Sequence, residues 1–441
     1  MRIIRNAEEG RSLLLSRKPL DTDELPMDLR ELTFKTFGQE LAPDEVVRRI
    51  IRDVREDGDN GVSYYNSRLD GSATTELRVS DDEMHEAYDA CDNELVEALR
   101  FAAGRVRDYH EQQMRGARLD FNNNGLGQVT RAIKRAGIYV PGTRAPLPST
   151  VIMCAIPARV AGVEEVYLTS PVLPDGTVPA SKLVAADIAG VEAVFKAGGA
   201  QGIAAFAYGT ETIPRVDKIF GPGGLFVTIA KKQVFGDVGI DSVYGPTETV
   251  IIADESADPE NVAADLLAQA EHDPLASPIL LTPSHYFAEE VGREMERQLT
   301  RMERAKIAQA AIDNRGGCIL VNDIDHAIEL ANYYGPEHLC LCVENPTAYV
   351  MKVTNAGGLF LGEASPEAVG DYTAGPSHTM PTGGSARWSS PLGVSDFLKR
   401  MAIVHLPDED SEQLNHYAAI IARAEGLTGH AHAVERRLRG R

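Results

Sequence analysis

The sequence predicts an α/β protein: two open, incomplete Rossmann-like domains built on parallel sheets, with a helical N-terminal lead-in and a small helical C-terminal segment. From about residue 137 to 362, short runs rich in β-branched and aromatic residues alternate with helical stretches. The alternation occurs in two successive series, which makes two parallel-sheet domains the simplest architecture. Upstream of it, apolar residues recur at helical rather than strand spacing.

In the lead-in, PDEVVRRIIRDVRED (43–57) carries Val47, Ile50, Ile51 and Val54 on one helical face. Ser80 with Glu83 forms a capping box ahead of an amphipathic segment reaching about Met114. The first α/β series follows, with the strand-like runs GIYV, EVYLTSP, EAVFK and KIFGPG separated by helices such as ASKLVAADIAG and AQGIAAFAYG. The second comprises TVIIAD, a helix ending in QAEH, PILLTPS, a helix around EEVGREMERQLTRM, CILV, the helix DIDHAIELANYY, LCLCV and GLFLG. After Gly383 the pattern turns polar and loop-like, then closes with the helix SEQLNHYAAIIARAEG and a basic tail.

A 441-residue chain that is 43% apolar and 25% charged suits a globular protein with more than one core. Its net charge of −21 argues against nucleic acid or an anionic membrane as partner and leaves a small-molecule substrate. Cys91, Cys154, Cys318, Cys340 and Cys342 contain no CxxC pair and suit a reducing compartment. The N-terminus breaks its apolar residues with charge before any signal-length run develops, which predicts a cytoplasmic protein.

Neither GxGxxG nor a Walker A loop is present. The nearest equivalents, AGGAQG (197–202) and FGPGGLF (220–226), follow strand-like runs and precede helical ones; they can bring backbone N–H groups to a phosphate or simply make tight turns. Gln269 and His272, three residues apart in QAEHDP, share a helical face, where an amide oxygen and an imidazole can begin a metal site. Asp371, in a loop after GLFLG, adds a carboxylate, and AEGLTGH (424–430) a further candidate. Such nitrogen and oxygen donors suit zinc. In GPEHL (335–339), Glu337 and His338 would point to opposite faces of a regular strand, so serving one site requires an irregular turn, which Gly335 and Pro336 permit. Together they can divide proton transfer between water and an alcohol; a solvated Glu beside a half-buried His is the alternative. Cys340 and Cys342 alternate along the next strand and read as core.

The series YVPGTRAPLPSTVIMCAIPARVAGV, AGGAQGIAAFAYGT, DKIFGPG, GPTETVIIAD through QAEHDP, GPEHL, FLGEASPEAVGDYTAGPSH and AEGLTGHAHAV resembles the histidinol dehydrogenase family in content and order. The resemblance implies a zinc-dependent, NAD-linked oxidation of L-histidinol through its aldehyde to L-histidine. It implies Gln269, His272, Asp371 and His430 as zinc ligands, His338 as the base for the alcohol proton, and Glu337 as the residue that activates water. It further implies Thr247, His378 and Glu425 as substrate contacts, beside Gln269, His272, His338, Asp371 and His430, and Tyr139 and Gln201 as cofactor contacts. A homodimer follows, in which the C-terminal segment of one subunit completes the partner's site. The corresponding division is an N-terminal arm (1–34), an α/β domain (35–138 plus 249–391) with most metal and catalytic residues, a second α/β domain (139–248), and the C-terminal segment (392–441).

Three positions depart from the family pattern: Thr247 stands in place of Ser, Gly224 in place of a cofactor-contacting Asn, and Ser377 in place of the Asn before His378. They bear on substrate fit and NAD affinity, and leave a relative acting on another primary alcohol, such as a sulfonated diol, as the alternative. A zinc hydrolase or a non-catalytic metal-binding protein is the rival from another class, and predicts no NADH from any alcohol.

Overall fold

In the computed structural model, which describes residues 1–17, 27–142 and 145–438, two parallel sheets carry the chain. Thr143 and Arg144 of the YVPGTR stretch, part of the N-terminal arm and the end of the basic tail lie outside the described residues.

The first sheet has six strands in the order Ile3–Ile4, Gly317–Leu320, Ser277–Thr282, Glu248–Ala253, His338–Cys342 and Gly358–Leu361, all neighbours parallel. Its central strands are buried on both faces, which is why they read as unbroken apolar runs. The second sheet orders Ala193–Lys196, Glu165–Ser170, Arg135–Tyr139, Lys218–Phe220 and Gly239–Ile240, again all parallel. The expected fold class is thus found.

The lead-in is helical, and Ser80 and Glu83 form the reciprocal capping box. The expected single segment after Ser80 is two helices, Asp81–Ala90 and Asn93–Ala117, broken at Cys91 and Asp92. The grouping of residues 35–138 with 249–391 is corrected by packing. Helix Pro43–Asp57 lies on helices Gly199–Tyr208 and Leu225–Val234, and Asn93–Ala117 lies on Pro148–Ala161, so the lead-in covers the second sheet. Helical period identifies a buried face but not the surface that buries it. The N-terminal arm instead joins the first sheet, through Ile3 and Ile4 paired with Cys318 and Ile319.

The stretch after Gly383 is not simply loop. Leu398–Val404 forms an antiparallel ladder with Leu126–Ala132, which also pairs with Phe121–Asn123. Most of Leu398–Val404 is exposed, so it carries no apolar alternation to reveal it. A helix missed in the sequence, Ala305–Arg315, follows His285–Leu299. The C-terminal helix is two, Asp408–Ala424 and Thr428–Leu438, which pack mainly on each other.

Candidate active site

The site gathers at the amino edge of the six-stranded sheet. His338 opens its strand and sits in register with Thr249 and Gly358, each near the start of a neighbouring strand. Helix Pro259–Ala270 follows Glu248–Ala253 and delivers Gln269, in its last turn, and His272 just beyond it. Asp371 comes from the short helix Glu367–Tyr372, not from the expected loop. Open α/β sheets ordinarily place ligands at the carboxyl ends of strands. The cluster around His338 departs from that rule. On the second sheet, Tyr139 ends a strand, and Gly198 and Gly221 follow the carboxyl ends of two others. The two edges meet where Thr150 Oγ1 lies 3.1 Å from His378 Nε2 and Cys154 Sγ lies 3.4 Å from Thr379 Oγ1.

Glu337 and His338 do share one site, as the Gly335–Pro336 turn allows. Gly335 ends the preceding helix with φ of +61°, and Glu337 Oε2 lies 3.8 Å from His338 Nδ1. Thr247 Oγ1 donates to Glu337 Oε2 at 2.6 Å, and the Glu248 N–H donates to the same oxygen at 3.2 Å. Burial pushes the Glu337 carboxyl up to about 7, against the opposing pull of the His338 charge and the Thr247 bond. For His338, burial favours the neutral ring, but Glu367, Glu337 and Asp371 outweigh it and shift the imidazole upward.

His338 is hydrogen-bonded at one ring nitrogen and faces a carboxylate at the other. Gln269 Nε2 is 3.0 Å from Nδ1, and Asp371 Oδ1 is 3.7 Å from Nε2, which is buried with no hydrogen-bond partner. Gln269 Nε2 also donates to Glu367 Oε2 at 2.9 Å. Both contacts use the amide nitrogen, so the oxygen is left to bind an ion. His272 is itself exposed in the single chain but lies within electrostatic range of Asp371 and His338, and desolvation by the surrounding protein lowers its imidazole. For Asp371, the neighbouring His338, His378 and His272 outweigh a burial effect of opposite sign and lower the carboxyl. His378 Nδ1 is 2.8 Å from the Asp371 carbonyl oxygen. Gln269, His272, His338, Asp371 and His378 are therefore brought together.

Glu425 and His430 are not. Both are exposed on the C-terminal helical pair, away from this cluster in the single chain. Among the described residues no three His, Cys, Asp or Glu side chains form a metal-holding group. The gathered donors are two of that kind plus the Gln269 amide, an oxygen and nitrogen set that fits zinc and leaves positions for further ligands.

Tyr139 and Gln201 meet at the Gly198–Gly199 turn. The Gly199 N–H donates to Tyr139 Oη at 3.2 Å, and Gln201 Nε2 donates to Asn66 Oδ1 and Asp70 Oδ2. Gln201 Oε1 is buried without a partner, which fits a ligand at this turn. Gly199 and Gly221 have φ of +48° and +104°, so their presence is accounted for by backbone conformation alone. Gly224 is different: a Cβ there would meet nothing within 4 Å. Ser377 is buried, and its hydroxyl accepts from the Thr379 N–H at 3.2 Å, so it pins the turn beside His378.

Sequence reasoning missed Glu367, which is buried and accepts from Thr249 Oγ1, Gln269 Nε2 and Cys340 Sγ. Its signal was a position one helical turn before Asp371. It also missed Thr150, which carries no motif that could have paired it with His378.

Fold and site define a two-domain α/β enzyme built around a buried carboxylate–imidazole pair. The family model described as histidinol dehydrogenase matches residues 38–438. A histidinol dehydrogenase of Deinococcus radiodurans is 45% identical with both chains covered in full, and one of Methanocaldococcus jannaschii is 46% identical over 92% of this chain and 94% of its own. The crystal structure of histidinol dehydrogenase from Elizabethkingia anophelis superposes with a TM-score of 0.89 at 34% identity, covering 100% of this chain and 98% of that one. The chain belongs to the histidinol dehydrogenase family, whose oxidoreductases catalyse the last two oxidation steps of histidine biosynthesis.

Proposed function

We propose that this enzyme oxidises L-histidinol to L-histidinaldehyde and then to L-histidine, reducing two NAD, with one zinc per subunit. The observation that carries the reading is the buried His338 ring, with its unpartnered Nε2 facing Asp371 and its Nδ1 facing the Glu337 carboxylate. Gln269, His272 and Asp371 would hold the zinc, with His430 of a second subunit as the fourth protein donor. When bound, the zinc supplies a fixed positive charge and a template for the imidazole and amine of the substrate.

With the zinc's charge offsetting the carboxylates that raise its imidazole, His338 would accept the alcohol proton, and NAD, when bound, would supply the hydride acceptor. Glu337, whose raised carboxyl is poised near neutrality, draws a proton from water as the water adds to the aldehyde. The hydrate then gives up the second hydride. Tyr139 and Gln201 would hold NAD; they lie at the carboxyl edge of the second sheet, which meets the Glu337–His338 edge at Thr150 and His378. Supporting a homodimer are the exposed apolar side chains of Leu414, Tyr417, Ile420, Ile421 and Leu427 on the C-terminal helices that also bear Glu425 and His430. No helix among the described residues is long and apolar enough to cross a membrane, in keeping with work in the cytoplasm.

The test is NADH counted per histidine formed from L-histidinol by zinc-loaded protein. Two per histidine are expected. No NADH from histidinol, with NADH from another primary alcohol, would replace the substrate; none from any alcohol would overturn the dehydrogenase reading.

A further inference from the structure

Arg17 lies outside the region matched by the family model, in the N-terminal arm, yet it reaches the back of the reacting pair. Its guanidinium forms a two-pronged bond with the Glu248 carboxylate, with Nη2 to Oε2 at 2.9 Å and Nη1 to Oε1. Nη2 also donates to the carbonyl oxygens of Tyr334, at 2.8 Å, and Gly335, at 3.3 Å, and the guanidinium lies over the Tyr334 ring with Cζ 4.0 Å from its centroid. These contacts grip both chain segments that present Glu337. Glu248 directly follows Thr247 and gives its N–H to Glu337, and Gly335 opens the turn into Glu337.

We propose that Arg17 is a positioning residue for Glu337: it ties the Gly335 turn to the Thr247–Glu248 segment, the two pieces of chain that present and hydrogen-bond Glu337. This deepens the proposed function and rests on the water-activating role given there to Glu337.

The charged and titratable groups acting on Glu337 are His338 beside it, Glu248 from the neighbouring strand, and Arg17 through Glu248; Arg315 and Tyr334 act on Glu248 from their own helices. Glu248 opposes ionisation of Glu337, and Arg17 favours ionisation of Glu248 by its bond and its charge. Without Arg17, the segments carrying the Thr247 hydroxyl and the Glu248 N–H, two donors that favour the ionised Glu337, lose their brace; Glu337 then keeps its proton to higher pH, and the step that needs its carboxylate begins at higher pH. The Glu337 charge raises the His338 imidazole, so the alcohol step does not move to higher pH.

The test uses the zinc-loaded enzyme with NAD and either histidinol or histidinaldehyde across pH, in wild type, Arg17→Ala, Arg17→Lys and the double variant Arg17→Ala/Glu248→Gln. In Arg17→Ala the acid limb of kcat for the aldehyde moves up by about one pH unit. The limb for the alcohol does not move up, and the double variant keeps the aldehyde limb raised, because Glu248→Gln does not restore the brace. Arg17→Lys, which keeps the charge and loses the fork, shifts the limb less. Equal loss in both steps with no movement of either limb, or return of the aldehyde limb to its wild-type place in the double variant, would overturn the proposal. A carbon-13 titration of the glutamate side chains, with Glu337 assigned through Glu337→Gln, reads the same shift without substrate. If wild type makes no NADH from histidinaldehyde, the functional reading falls, and that titration still decides the role of Arg17.

Discussion

Thr247 and Glu337 are separated by 90 residues of sequence and joined by a 2.6 Å hydrogen bond from hydroxyl to carboxylate. The bond favours the ionised form of Glu337 against the burial that opposes it. Thr at this position therefore keeps the donor that Ser would supply, and its hydroxyl is engaged by the protein's own carboxylate. Thr247→Ser should leave both oxidation steps near wild type. Thr247→Val keeps the shape and removes the donor; a hydrogen bond to a charged group contributes about 1.5–3 kcal/mol, so histidinaldehyde oxidation should fall by at least roughly tenfold. NADH formation from histidinaldehyde at neutral pH checks this, and an unimpaired Val variant would show that the bond does not serve the reaction.

Glu337 gives the aldehyde step its pH dependence. Its carboxyl is raised from 4.5 to about 7 by burial, so the carboxylate needed to activate water accumulates as pH rises through 7. The stability sign is opposite. Because the folded protein holds this proton more tightly than the unfolded chain, its contribution is full below 4.5 and is lost as pH rises through about 7. Glu337→Gln should abolish the acid limb of the aldehyde step and flatten the fall in melting temperature between pH 5 and 8, a window set by that shift. An unchanged limb in the Gln variant would assign it to another group.

The two adjacent residues should fail differently. His338→Ala removes the base buried against the substrate position and should lower alcohol oxidation by 10²-fold or more, the scale of a general base. Glu337→Gln should spare alcohol oxidation far more than the aldehyde step. Supplying histidinol and histidinaldehyde separately and timing each NADH measures the split, and equal loss in both steps for both variants would sink the division of labour.

The strands and the donors Gln269, His272 and Asp371 were legible because burial on both sheet faces writes continuous apolar runs, and because helical spacing places Gln269 beside His272. The edge of the sheet was not legible. Asp371 was expected in a loop at a carboxyl edge, whereas the site lies at the amino edge, reached by the end of helix Pro259–Ala270 and by helix Glu367–Tyr372. Direction of approach depends on how helices return over the sheet, which no local pattern encodes. Arg17 and Glu367 were invisible for a related reason: each acts through partners far away in sequence, Glu248 and Gln269 respectively.

Gly224 offers a gain of function. It is the N-cap of helix Leu225–Val234 with φ of −69°, a conformation any residue adopts, and a side chain there meets open space. Gly224→Asn should fold without strain, cap the helix, and restore one hydrogen bond toward NAD worth about 0.5–1.5 kcal/mol, lowering the KM for NAD by roughly two- to tenfold. Steady-state titration of NAD at saturating histidinol measures it. A KM unchanged in a fully folded Asn variant would place NAD elsewhere.

The exposed positions of Glu425 and His430 lead to a prediction about the assembly itself. In one chain they sit on a helical pair whose Leu414, Tyr417, Ile420 and Ile421 remain exposed, and among the described residues no three His, Cys, Asp or Glu side chains come together to hold a metal. If each site borrows His430 from its partner, two different inactive subunits can complement. A mixed dimer of His338→Ala and His430→Ala subunits contains one site carrying both defects and one carrying neither. Equal mixing after reversible dissociation makes half of the dimers mixed, so activity should return to roughly a quarter of wild type from near zero in either parent. Zinc should follow the same geometry: His430→Ala homodimers should bind it more weakly at both sites, and the mixed dimer should retain one tight site, read by equilibrium dialysis. Failure of activity to return, in dimers shown by differently tagged subunits to be mixed, would mean that each chain supplies its own fourth donor, and that the C-terminal helices must fold back over the amino edge of their own sheet.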